Sequence, residues 1–257
     1  RDLTSFDEEA IIDNRQTDFN CMNCHSFRSQ SPDDMLFHMR ATYGGTYVWT
    51  DGKLEKLDGK VSEGIQSLVY PYWHPSGDYV AFSTNKTNQM FHMKDKNRIE
   101  VFDSASDVLV YDVKNHRVLT DSLLFSKGAF ETFPSFSPDG KTLYFSSAKA
   151  QQMPKDYKKV KYSLCAISFK PQTGQFGNQV DTLFSAETEG KSGILPRVSS
   201  DGRFLAFTQA DYGNFAIWHK EADLCLIDLN DGQVKGLPEV NSTEAESYHA
   251  WSSNGRW

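Results

Sequence analysis

Long apolar runs are missing from this chain, as are a dense cysteine framework and an excess of basic charge. Uncharged apolar stretches such as 79–82 and 143–145 are only a few residues each, against the ~20 that a membrane-crossing helix needs. No segment reads as a transmembrane span, and a lipid anchor would have to lie outside these residues. Four cysteines in 257 residues are too few to staple a fold of this size, so the core must come from apolar burial. With 27 Lys and Arg against 34 Asp and Glu, the net charge is −7. Such a field repels phosphate backbones, and nucleic acid is not an expected partner. No Ser-His-Asp order, paired-carboxylate motif or Gly-rich phosphate loop stands out, so no enzyme active site can be assigned.

What the chain does have is a repeat. Its copies read Pro71-Tyr-Trp-His-Pro-Ser-Gly-Asp-Tyr-Val-Ala-Phe-Ser83, Pro134-Ser-Phe-Ser-Pro-Asp-Gly-Lys-Thr-Leu-Tyr-Phe-Ser146, Pro196-Arg-Val-Ser-Ser-Asp-Gly-Arg-Phe-Leu-Ala-Phe-Thr208 and, incomplete, His249-Ala-Trp-Ser-Ser-Asn-Gly-Arg-Trp257. Gly77, Gly140, Gly202 and Gly255 fall at intervals of 63, 62 and 53 residues. The Gly pair tolerates the positive φ of a hairpin turn, and alternating apolar residues follow it, so each copy is a strand, a tight turn and a second strand. A third strand follows at 107–113, 163–169 and 223–229, and a short fourth closes each unit. Sheets of four antiparallel strands, repeated and unable to bury their faces alone, cover one another by radial stacking. The expected fold is all-β, a β-propeller of four-stranded antiparallel blades forming part or all of a five- to six-bladed ring. Residues 45–57 read as the outer half of a unit whose inner hairpin is missing. The domain boundary is therefore set at 43/44, with a short irregular N-terminal segment over 1–43 and the propeller over 44–257.

Hairpins such as Phe136-Ser-Pro-Asp-Gly-Lys-Thr-Leu-Tyr-Phe145 resemble the WD40-like, TolB-type (PD40) propeller repeat of bacterial envelope proteins, over about residues 45 to 257. The resemblance implies a periplasmic or cell-surface protein that binds protein or peptide partners or accompanies a catalytic domain.

The cysteines sort into two kinds. Cys165 and Cys225 occupy the same column of apolar strands in different units and read as inert core thiols. Cys21-Met-Asn-Cys24-His25 has the C-x-x-C-H spacing of a c-type haem attachment site, in which the thiols add to two porphyrin vinyl groups and the imidazole becomes the proximal iron ligand. Chance alone would place this pattern in such a chain on the order of one time in a thousand. His38 and Met39 are the preferred candidates for the distal position, ahead of Met22 and Met35. Zinc would need two further Cys or His at short spacing, and a Cys21–Cys24 disulfide with no cofactor is the other alternative.

In four-stranded blades the long connections share one rim. Here they are 85–106, 148–161 and 209–222, and their length and aromatic content suggest a ligand face of His92, Glu131, Tyr212, Trp218 and His219. The expected function is an exported binding scaffold carrying haem c, with an envelope protein or peptide partner and a redox partner. The alternatives are a haem-free protein- or glycan-binding propeller, or an accessory domain to a hydrolase.

Overall fold

The computed structural model describes residues 5, 7, 8, 10, 12–57 and 68–255. Sixteen strands among them form four antiparallel sheets, each a simple meander. The first holds β1 (Met22–Phe27), β2 (Met35–Met39), β3 (Gly45–Thr50) and β4 (Lys53–Lys56); the second β5 (Val69–Trp73), β6 (Tyr79–Phe91), β7 (Ile99–Asp112) and β8 (Arg117–Leu119). The third holds β9 (Ala129–Phe136), β10 (Thr142–Lys149), β11 (Ser163–Lys170) and β12 (Gln175–Phe184); the fourth β13 (Ser192–Val198), β14 (Phe204–Ala210), β15 (Asp223–Asp228) and β16 (Val234–Gly236). Each sheet's first strand touches the first strand of the next, β1 on β5, β5 on β9 and β9 on β13. The first strands therefore gather round a common axis and the sheets radiate from it as propeller blades.

Strand periodicity explains the stacking. Successive side chains point to opposite faces of a sheet, so Val80 and Phe82 join Leu36 and Val48 in the seam between the first two blades, while Tyr79 and Ala81 join Phe136, Leu143 and Phe145 in the seam between the second and third. Leu164 and Phe184 meet Leu205 and Phe207 in the next. Cys165 and Cys225 are buried free thiols in different seams.

The Asp-Gly turns are built alike. Ser137 Oγ donates to Asp139 Oδ1 at 2.6 Å, and that oxygen accepts from the Lys141 amide; Ser199, Asp201 and Arg203 repeat this one blade on. The following glycines, Gly140 and Gly202, sit at φ 71° and 75°.

Two features lie outside the sequence expectation. The inner hairpin of the first unit is present, as β1 and β2, so the expected 43/44 boundary falls inside one sheet. Its connection carries no Gly turn. Instead the Arg28 amide donates to the Asp34 carbonyl at 2.9 Å and the Arg28 guanidinium pairs with the Asp34 carboxylate at 2.6 Å. Second, each innermost strand carries a bulge with a left-handed residue, at Cys24, Tyr70, Phe133 and Leu195, with φ of 50° to 56°. Tyr248, at φ 55°, starts a fifth copy.

Candidate functional site

The C-x-x-C-H motif is part of the propeller. Cys24 is the bulge residue of β1, and His25 takes the column that Pro71, Pro134 and Pro196 fill in the next three blades and His249 fills in the fifth copy. An extended strand would set residues three apart on opposite faces, but the left-handed turn at Cys24 interrupts that alternation. Cys21 and His25 are exposed, Cys24 is half-buried, and neither thiol is in a disulfide. Burial pushes the Cys24 thiol up, against smaller opposing effects of the Tyr70 backbone and Arg40. Of these three side chains, His25 lines two cavities, of about 570 and 340 Å³. Among the described residues no group of three or more His, Cys, Asp or Glu gathers into a metal site.

The preferred distal candidates do not join His25. His38 shares the face of Leu36 that packs on the second blade; its Nδ1 lies 3.1 Å from Thr46 Oγ1, which in turn donates to the Leu68 carbonyl, and burial pulls its pKa down. Met39 is 4% exposed in an apolar cluster with Met35 and Phe37. Strand alternation places these two on opposite faces of β2, and neither lines either of these two cavities. Met22 and Met35 do, in the smaller of the two.

The larger cavity lies on the propeller axis. Side chains of all four innermost strands and of 248–252 face it, among them His25, Tyr72, Phe136, Arg197, Tyr248 and Trp251. Trp251 Nε1 donates to the Arg197 carbonyl at 2.9 Å, and Gln30 Nε2 reaches the Trp251 carbonyl at 3.5 Å, which ties the fifth copy to the first and fourth blades. Sequence reasoning missed this wall. The available signal was the column after the bulge proline or histidine, which reads Ser26, Tyr72, Ser135, Arg197 and Ala250, with one charge among neutral side chains.

The long insertions do meet, as expected of a shared rim, but they close on themselves. Tyr212 Oη donates to Glu100 Oε2 at 2.8 Å, and His219 Nε2 lies 3.1 Å from Glu100 Oε1, all three side chains being buried. Asn85, Thr87 and Asn214 donate to the buried Asp103. His92 stacks on Tyr157, which meets Tyr212 edge-on. Tyr212 and His219 therefore hold insertions together rather than face solvent, and of the rim candidates Trp218 is the exposed one. Glu131 stands apart in β9, 3% exposed, with its carboxyl pushed up to about 8 by burial and by the charge of Asp107.

No family model matches the chain, and no curated protein matches it in sequence. Solved structures do. A prolyl endopeptidase aligns with a TM-score of 0.53 at 13% identity, over 84% of this chain and 29% of its own. A putative TolB from Agrobacterium tumefaciens aligns at 0.41 and 14% identity, over 85% and 80%, and the β-propeller domain of Myceliophteria thermophila Cps50 (Swd1) at 0.47 and 9%, over 83% and 59%. The chain spans under a third of the prolyl endopeptidase's length, and at these identities the likeness concerns the fold alone. By its four radiating meander sheets and by that likeness, the chain is a β-propeller.

Proposed function

We propose that this propeller is an exported binding scaffold of the bacterial cell envelope, taking a protein or peptide partner at its axial cavity and carrying a c-type haem on its first blade. The observation that carries the binding reading is the cavity itself, about 570 Å³, walled by aromatic side chains from several blades and by Arg197. A concave site with a mostly apolar wall and a few convergent polar groups is the ordinary form of a ligand site. The envelope assignment rests on the TolB-type character of the repeats.

For the haem, the support is the spacing of Cys21, Cys24 and His25, the exposure of Cys21 and His25, and the place of His25 in the axial cavity wall. The two thiols would hold the porphyrin through thioether bonds, and the His25 imidazole would hold the iron. Bound there, the haem supplies a one-electron couple, which is what a redox partner would use. Protein produced alongside a haem-ligation system is expected to gain the mass of one haem per chain and to show Soret and α bands on reduction. Replacing both Cys21 and Cys24 with Ser should abolish the adduct. Colourless protein of unmodified mass from such cells would rule the haem out and leave the binding scaffold standing.

A further inference from the structure

Among the described residues, Arg197 is the only Lys or Arg in the wall of the axial cavity, and that wall contains no Asp or Glu. Its guanidinium carbon lies 5.2 Å from the centroid of the Tyr72 ring, and Nη1 donates to the carbonyl of Pro196 at 2.8 Å. No carboxylate stands close to it among the described residues; the groups acting on its charge are the Tyr72 and Tyr248 hydroxyls, and burial draws its pKa below the usual value. A guanidinium stays charged in proteins, and this one is half-buried with no carboxylate paired to it among the described residues.

We propose that Arg197 anchors the terminal carboxylate of a peptide entering the axial cavity, with the last residue's apolar or aromatic side chain packed against Tyr72 and Trp251. Three features select this chemistry. The planar fork of a guanidinium matches a carboxylate in two parallel hydrogen bonds. One arginine balances one negative charge, whereas a phosphate dianion would call for more donors. The remaining wall, including Trp73, Phe136 and Pro138, suits an apolar side chain rather than a hydrated ion. The inference rests on the reading of the axial cavity as a ligand site.

The test uses N-acetyl-L-phenylalanine and its C-terminal amide as probes, followed by calorimetry and by the fluorescence of Trp73 and Trp251, which line the cavity. The acid is expected to bind the unaltered protein at least tenfold more tightly than the amide. Arg197→Met should remove that preference, and Arg197→Lys should keep it at lower affinity, with melting curves confirming that both variants fold. Equal binding of acid and amide overturns the carboxylate anchor and leaves the cavity as a ligand site. No response to either probe overturns both readings. Displacement of the acid by sulfate at equal concentration assigns the arginine to inorganic anions and overturns the peptide. A preference seen in haem-free but not haem-loaded protein assigns Arg197 to a porphyrin propionate, which overturns it too.

Discussion

Glu131, buried, and His249, half-buried, are ionisable side chains that the protein holds neutral, and they respond to pH in opposite senses. The Glu131 carboxyl is raised from 4.5 to about 8, first by burial and then by Asp107. As pH climbs from 4.5 to 8, the unfolded chain gives up this proton before the folded one does, so the folded state loses stability across that window. His249 is lowered from 6.5 to about 4, first by burial and then by the charge of Arg197. As pH falls from 6.5 to 4, the unfolded chain takes up a proton that the folded one refuses, and stability falls again. Each pH unit of either window carries at most about 1.4 kcal/mol. Urea titrations between pH 4 and 9 should show Glu131→Gln flattening the alkaline decline and His249→Gln flattening the acid one. At this scale the sequence revealed the C-x-x-C-H residues and the buried thiols, because spacing and column are one-dimensional properties. It did not place the side chains of His38, Met39, Tyr212 and His219, because which way a side chain faces depends on neighbours from other blades.

The hairpin turns show how one sequence pattern meets different surroundings. Gly140 and Gly202 share the left-handed conformation, so an alanine at either is strained by about 1 kcal/mol. Nothing lies within 4 Å of a Cβ at Gly202, whereas one at Gly140 would fall on the His74 ring. That ring is fixed: Nε2 lies 3.0 Å from the Gly140 carbonyl, Nδ1 accepts from the Ser76 amide, and Phe136 and Phe169 pack against it edge-on or steeply inclined. Gly140→Ala is therefore expected to destabilise by about 1–3 kcal/mol more than Gly202→Ala, measured as the difference in unfolding free energy. Hairpins marked by Asp-Gly or Ser-Gly were legible because the turn needs a positive φ. The β1–β2 hairpin was not, since the Arg28–Asp34 pair and the left-handed Ser29 and Gln30 close it without glycine.

Across the whole molecule, the stabilising surface lies between blades rather than within them. A meander exposes both faces of its sheet, so each seam borrows residues from two neighbours, and the loss of one seam side chain weakens two repeats at once. Phe145, 1% exposed between the second and third blades, should cost about 3–5 kcal/mol on replacement by alanine. Denaturation followed by tryptophan fluorescence is expected to shift to lower urea for Phe145→Ala. A change in slope would show that neighbouring blades no longer unfold together. The sequence by itself determined the repeat, the strand-turn-strand grammar, the radial stacking and the presence of a thiol-histidine motif. All of these follow from local backbone preference and from the period-two alternation of apolar residues. Only the tertiary structure decided that the motif is a blade bulge on the axis, that the long insertions lock together through Glu100 and Asp103, and that Arg197 faces the axial cavity. Each of those depends on side chains from strands far apart in sequence converging, and convergence is fixed by how the sheets pack.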